Sequence, residues 1–221
     1  MQFFNITLTG VSPLLMHADD VKWADRMKAW SDDPANKSVK VNGDDRTPAY
    51  KWVGYLYSDG DRVCIPADVI MVALREGGAM VPVPGGRSGK TFKTQSQSGI
   101  LPEDLYWPLL ASGKEVPMSA ITALMQESSF PAHEKAVESM GFELLLKRAA
   151  VGTAKHIRVR PMFRQWSCSG VLAVQDPQIT KTVLESILSY AGKYKGIGDW
   201  RPSAPKKPGT HGMFSAVVKE V

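Results

Sequence analysis

The sequence predicts an α+β protein with a ferredoxin-like fold, in which an antiparallel sheet of four strands carries two helices on one face. Three observations lead to this prediction: an alternating apolar pattern near the start, two amphipathic helical segments, and strand-like segments after each helix. With insertions set aside, the predicted order is strand, helix, strand, strand, helix, strand. Such a sheet leaves its second face open to a ligand.

The first strand and the first helix have clear local signals. Residues 2–10 alternate apolar and polar side chains, with Phe4, Ile6 and Leu8 on one side, which is the period of a half-buried strand. Pro66 stands where a helix begins, because proline suits the first turn of a helix. The helical apolar pattern then continues to Gly77 and Gly78, so we expect a core helix over about 66–76.

Later segments supply the remaining strands and the second helix. Further strands are predicted at 52–57, 63–65, 142–146, 155–160, 168–174 and 213–218. Asp176 and Pro177 are expected to act as N-cap and first residue of a helix with an apolar stripe, and Gly192 as the residue that ends it.

Two segments are predicted to be insertions into a single domain of residues 1–221. Residues 18–50 are acidic and polar, so we expect an insertion with one short helix. Residues 82–99 are rich in Gly, Pro and Ser and contain no acidic residue, which indicates a flexible basic loop.

Length and composition exclude several classes of protein. The chain of 221 residues is 43% hydrophobic, enough for one substantial core. No apolar run reaches about 18 residues and no leader pattern is present, so we expect a soluble cytoplasmic protein without a membrane contact. Cys64 and Cys168 lack CxxC spacing and are expected to be buried free thiols. The acidic segment lacks EF-hand spacing, and we expect neither a metal nor a cofactor.

Charge is distributed unevenly along the chain. Residues 146–221 contain 13 Lys/Arg against 4 Asp/Glu, whereas residues 1–145 contain 14 against 18. An asymmetry of this kind indicates an anionic partner for the C-terminal part of the chain. The alternative is a solvated surface on which the cations are spread.

The candidate phosphate-binding residues fall into three groups. A strip of cations is expected on one sheet face, because strand geometry aligns alternate residues; it contains Arg148, Lys155, Arg158 and Arg160. The basic loop contributes Lys90 and Lys93. The third group belongs to the glycine-rich segment near the C-terminus, where backbone amides, an indole and cations suit a phosphate backbone; it contains Gly196, Gly198, Trp200, Arg201, Lys206 and Lys207.

Alternatives to these roles remain open. Trp200 either stacks on a base or packs into the core, and the lysines either contact phosphates or remain solvated. The segment from Gly85 to Thr91 ends in GKT but places Pro84 where a P-loop requires glycine. We therefore do not expect nucleotide hydrolysis.

Three segments in the same order resemble the RAMP superfamily, the ferredoxin-like backbone and processing subunits of CRISPR effector complexes. Residues 8–15 (LTGVSPLL) resemble its first strand and following turn, and residues 65–75 (IPADVIMVALR) its first helix. Residues 196–199 (GIGD) with 211–214 (HGMF) are similar to its glycine-rich loop. The chain also resembles proteins encoded by tailed phages that share an IGDWRP ending.

The resemblance departs from the family pattern at Asp199 and Trp200, which replace small residues, and residues 18–50 match no part of it. It implies non-catalytic binding of single-stranded DNA or RNA, with possible self-association into filaments, in a CRISPR-like complex or in phage nucleic acid metabolism. Two alternatives stay open. One is a metal-independent endoribonuclease that uses His17, His156 or His211. The other is an interaction or inhibitory protein that acts through its acidic insertion.

Overall fold

The computed structural model describes residues 1–86, 89–205 and 207–221 and shows an α+β protein with antiparallel sheets. The strands are β1 (Gln2–Gly10), β2 (Leu14–Leu15), β3 (Cys64–Pro66), β4 (Ile100–Pro102), β5 (Tyr106–Ala111), β6 (Lys114–Glu115), β7 (Glu143–Val151), β8 (Ala154–Phe163), β9 (Trp166–Val174) and β10 (Phe214–Glu220). The α-helices are α1 (Val21–Asp32), α2 (Ala67–Gly78), α3 (Lys93–Ser98), α4 (Met118–Leu124), α5 (Phe130–Ser139) and α6 (Lys181–Tyr190).

The larger sheet has the order β10-β1-β9-β5-β3, with β4 beside β9 and β6 beside β5. Its pairs are antiparallel, and β1 lies between β9 and β10. The buried residues of β1 are Phe4, Ile6 and Leu8, as the alternating pattern predicts. The first and last predicted strands are therefore confirmed, and they are neighbours in one sheet.

Helices α2 and α6 supply the apolar residues that join this core. Ile70 and Leu74 of α2 and Leu184 and Ile187 of α6 are buried in the same cluster as the β1 side chains. The two helices approach closely at Gly77, where an added Cβ would lie 2.3 Å from the Ile187 carbonyl oxygen. A glycine is required there because any side chain would push the helices apart.

The opposite face of the large sheet is exposed and carries little charge. In β1 it presents Asn5, Thr7 and Thr9, and the cross-strand partners of Thr7 and Thr9 are serine and valine residues of the neighbouring strands. Lys219 of β10, opposite Asn5, is an exposed cation on this face. The open face that the sequence predicts is thus rich in hydroxyl groups, and the basic strip does not lie on it.

The smaller sheet has the order β2-β8-β7 and contains the predicted basic strip. Strands β7 and β8 form a long antiparallel hairpin from Glu143↔Met162 to Val151↔Ala154. Strand β2 attaches the hairpin to the end of β1 through Leu14↔Phe163. The segments predicted at 142–146 and 155–160 are therefore strands, but of a separate sheet.

Several local predictions are wrong. Residues 52–57 do not form a strand, because Lys51–Tyr55 is a 3₁₀ helix. Helix α6 begins after Thr180, which caps it, whereas Asp176 only closes a turn with the Gln178 amide. The helix does not end at Gly192 but continues as a π-helical turn, Ala191–Lys195, before Gly196. Part of the basic segment 82–99 is also ordered as α3.

The acidic insertion contains the predicted short helix, and its end is built into the small sheet. Helix α1 has no buried residue. By contrast, Asp44 forms a parallel bridge with Ile157, and the Asp45 amide donates to the Ile157 carbonyl. The insertion is therefore exposed at α1 and anchored on β8.

Cys64 and Cys168 are buried free thiols, as predicted. Among residues 1–86, 89–205 and 207–221, no helix has both the length and the apolar character needed to cross a membrane.

The first testable prediction concerns these two thiols. Burial raises the pKa of each to about 12, so the reactive thiolate is scarce at a pH of about 8. We expect the folded protein to react slowly with an aromatic disulfide reagent and the denatured protein to release two equivalents at once. Glutathione in the same buffer is the control, and rapid labelling of the folded protein would contradict the prediction.

Candidate nucleic-acid interface

The buried carboxylate of Asp45 organises the cations on one face of the β7–β8 hairpin. Its side chain is 0% exposed, with Lys51 Nζ at 2.9 Å, Arg158 Nη1 at 3.1 Å and Arg160 Nη1 at 3.6 Å. The Tyr55 hydroxyl donates to it at 3.3 Å. Asp45 thus compensates three cations and holds the insertion against β8.

The protonation of Asp45 follows from these contacts. Burial alone would raise the pKa of this carboxyl, because water no longer solvates the charge. The hydrogen bond and charge of Lys51, together with the charge of Arg158, outweigh burial and hold the pKa of Asp45 below its usual value. The carboxylate is therefore charged at neutral pH.

Arg160 is enclosed by further contacts and is only 12% exposed. Its Nε lies 3.3 Å from Asp199 Oδ2, and its guanidinium carbon lies 4.4 Å from the centre of the Tyr55 ring. Nη2 is 3.2 Å from Nε2 of His17, whose pKa is lowered by burial and by the charge of Arg160. These contacts indicate that Arg160 stabilises the fold and is not available to a ligand.

The predicted strip is divided between two faces of the hairpin, which corrects the expectation of one basic face. Arg158 and Arg160 lie on the face of Asp45, whereas Arg148 is paired with Ile157 and Lys155 with Ala150. Because alternate residues point to opposite faces, Arg148 and Lys155 share the other face. Only these two exposed cations of the strip remain available to solvent.

A cleft of about 560 Å³ lies between strand β7 and the segment that follows Trp200. It is lined by Lys147, Arg148, Ala149, Ala150, Trp200, Lys207, Pro208, Gly209, Thr210 and His211. Three predicted site residues, Arg148, Trp200 and Lys207, therefore meet here. The cleft also contains Lys147, which was not predicted, and His211, which was predicted only as a catalytic residue of the ribonuclease alternative.

Lys147 lies over the indole of Trp200, with Nζ 3.8 Å from the ring centre. Lys147 is directly opposite Arg158 in the hairpin, and like charges in that position repel each other. Arg158 turns to Asp45, while the ammonium of Lys147 turns to the negative face of the indole. The indole thus holds a cation at the wall of the cleft.

Ion pairing separates the structural cations from the cleft cations. Arg158 and Arg160 have carboxylate partners. Within the part of the chain that the structure describes, Lys147, Arg148 and Lys207 form no ion pair. The lining of the cleft therefore includes three cationic residues without a carboxylate partner among the described residues. Lys147 lies on the hairpin face of Arg158 and Arg148 on the opposite face, so these two cations flank strand β7.

His211 forms another part of the cleft wall. Its ring lies 6.2 Å from that of Trp200, and its buried Nδ1 has no hydrogen-bond partner among the described residues. Burial lowers the pKa of His211, and the charge of Lys147 lowers it further, while Asp199 acts in the opposite direction. The imidazole is therefore mainly neutral at neutral pH in the unliganded protein.

The two glycines of the predicted loop support its packing and do not line this cleft. Gly198 has a positive φ of 79°, and an added Cβ would lie 2.4 Å from the Leu15 carbonyl oxygen. The Gly196 and Ile197 amides donate to the carbonyl oxygens of Ala191 and Gly212. The geometry thus uses these amides within the loop, and phosphate contact by Gly196 and Gly198 stays a prediction.

The remaining predicted residues lie elsewhere. Arg201 donates to Ser203 and to the Gly198 carbonyl and approaches Glu76 at 3.9 Å. Lys90 lies in the basic segment, and Lys93 is the first residue of α3. Neither they nor Lys155 line the cleft. Lys206 lies outside the described residues.

The three candidate histidines occupy different environments. His17 contacts Arg160, and His156 lies beside Gly43 on the hairpin face of Asp45. His211 alone among these three lines the cleft. The position of Lys147 beside Arg148, directly after the strand predicted at 142–146, was the available signal for Lys147. The proximity of His211 depends on the path of the loop and left no signal in the sequence.

A scan with protein-family models and a search of curated proteins returned no match.

The second prediction tests the role of Asp45. Asp45→Asn should lower the free energy of unfolding by about 3 kcal/mol, because Lys51 and Arg158 lose their carboxylate partner and Arg160 keeps only Asp199. Urea unfolding at neutral pH measures this loss, with the exposed Asp25→Asn as control. Since the folded-state pKa of Asp45 is lowered, its contribution is present above pH of about 4 and disappears as the pH falls through that pKa. The two curves should converge in acid; equal stability at neutral pH would contradict the prediction.

Proposed function

We propose that the protein binds single-stranded nucleic acid without chemistry, and that the strand enters the cleft between β7 and the Trp200 segment. The observation that carries this proposal is the group of three cations, Lys147, Arg148 and Lys207, that line the cleft without a carboxylate partner. Phosphates compensate such charges and release condensed counterions on binding, which drives association at low salt.

The dimensions of the cleft favour a single strand. A volume of about 560 Å³ suits one small group such as a nucleotide and not the width of a duplex. Lys147 occupies one face of the Trp200 indole, so phosphate contacts rather than stacking on that face supply the affinity. Binding of this kind is tolerant of sequence, because every nucleotide carries the same phosphate.

We further propose that the large sheet is a ferredoxin-like unit and that the protein is RAMP-like. The order of the sheet supports this. Strands β1 and β5, which are joined through α2, are separated by β9; strands β9 and β10, which are joined through α6, are separated by β1. Interleaving of two strand–helix–strand units is the split βαβ arrangement. Self-association into filaments and a role in a CRISPR-like or phage complex remain predictions.

One observation favours a second candidate, a metal-independent endoribonuclease. His211 lines the same cleft as the cations and is held mainly neutral, the form that accepts a proton from a ribose hydroxyl. Labelled RNA incubated with a chelator tests this candidate. Cleavage by the wild type but not by His211→Gln would establish this candidate. Intact RNA would contradict it and leave non-catalytic binding as the proposed function.

The third prediction tests the cleft. Fluorescence anisotropy should show tight binding to a single strand at about 50 mM salt and much weaker binding at about 200 mM. The triple variant Lys147→Ala, Arg148→Ala, Lys207→Ala should lose most of this affinity. The slope of log affinity against log salt concentration should decrease by the amount that about three phosphate contacts contribute.

Lys219→Ala is the matched control for the triple variant, because it removes an exposed cation from the open face of the large sheet. Its affinity should equal that of the wild type. Comparison of single-stranded RNA, single-stranded DNA and duplex DNA identifies the partner. If the triple variant binds as tightly as the wild type, the cleft is not the interface; if no nucleic acid binds at low salt, the proposed function is wrong.

A further inference from the structure

We propose that the cleft recognises the phosphorylated end of a nucleic acid strand, a phosphomonoester, in preference to the phosphodiesters within the strand. This inference rests on the proposed function and specifies its ligand. Three features support it: the number of charges in the cleft, the position of Lys147 and the presence of His211.

The number of charges exceeds what an internal nucleotide requires. Lys147, Arg148 and Lys207 line one cleft of about 560 Å³, a volume in the range of small-ligand sites. An internal nucleotide brings one phosphodiester and one negative charge, whereas a terminal phosphomonoester carries about −1.5 to −2 at pH 7 and three strong acceptor oxygens. A monoester therefore matches the cations of the cleft better than a diester does.

The position of Lys147 favours recognition of charge over recognition of a base. Its ammonium lies 3.8 Å from the centre of the Trp200 ring. A base cannot stack on that ring face while the ammonium remains there. The indole instead fixes the orientation of a flexible side chain, which lowers the entropy lost when Lys147 binds an anion.

His211 adds a group that gains charge when an anion binds. The groups that influence it are Lys147, which disfavours the protonated ring, and Asp199, which favours it; Arg148 and Lys207 line the same cleft. A dianionic phosphate would compensate Lys147 and favour protonation of His211. The imidazolium would then donate to the phosphate as a fourth cationic group.

The fourth prediction is a competition experiment that separates this inference from the proposed function. Unlabelled oligonucleotides of one sequence, with a 5′-phosphate, a 3′-phosphate or hydroxyl groups at both ends, displace an internally labelled strand. We expect a phosphorylated end to bind about tenfold more tightly, the effect of one more negative charge near several cations. The two phosphorylated arms identify the end, and thymidine monophosphate against thymidine tests the monoester alone.

Each outcome has a defined meaning. Equal affinities of all three oligonucleotides overturn the inference and leave the proposed function in place. No binding of any oligonucleotide overturns both. Equal displacement of the labelled strand by thymidine monophosphate and by thymidine overturns recognition of the phosphomonoester.

Variants locate the effect at the cleft. Lys147→Ala and Arg148→Ala, which alter exposed side chains, should reduce the preference for the phosphorylated strand at least about fivefold while binding of the hydroxyl strand falls less. Lys219→Ala should keep the wild-type preference, and urea unfolding verifies that each variant is folded. An unchanged preference in both cleft variants would overturn the inference.

The role of His211 is tested by His211→Gln, which retains hydrogen bonding but cannot become charged. The ratio of wild-type to variant affinity for the phosphorylated strand should be larger at pH of about 6 than at about 8, because only the wild type gains a proton. At each pH the ligand phosphate has the same protonation state in both measurements, so its own titration cancels in this ratio. A ratio that does not change with pH overturns the contribution of His211.

Discussion

The ion cluster around Asp45 is the interaction on which the site depends. One buried carboxylate joins the end of the acidic insertion to Arg158 and Arg160 of β8. Removal of two cations from water is costly, and the compensation by Asp45 makes their partial burial possible. Because Arg158 is drawn to Asp45, its cross-strand neighbour Lys147 is left to contact Trp200. The geometry of the cleft therefore depends in part on Asp45, which does not line it.

This arrangement divides the cations of the C-terminal part into two groups with different tasks. Arg158 and Arg160 are compensated within the protein and stabilise the fold. Lys147, Arg148 and Lys207 line the cleft and form no ion pair among the described residues, so their charges are left for a counter-charge from outside the protein. A basic sequence segment therefore does not by itself define a binding surface, because the paired half of its cations contributes to stability.

Sequence periodicity correctly predicted the strand and helices whose apolar residues lie on one buried face. The alternation in β1 and the apolar stripes of α2 and α6 reported the buried faces correctly, because each face packs on one core. The 3₁₀ helix at Lys51–Tyr55 was missed, because its apolar and aromatic residues also suit a strand. The division of the basic strip between two faces could not be predicted from the sequence. It depends on the register of β7 against β8 and on Asp45, which is 113 residues from Arg158.

The position of β1 also affects how the chain reaches this structure. Its partners are β9 and β10, so residues near the start of the sequence pair with residues near its end, as in Phe4↔Glu220. During synthesis β1 emerges before both of its partners, so its edges remain unpaired until β9 and then β10 are available. Non-local pairing of this kind slows folding and exposes strand edges to other chains. The β7–β8 hairpin, by contrast, pairs residues that are close in the sequence, so its formation does not depend on such distant segments.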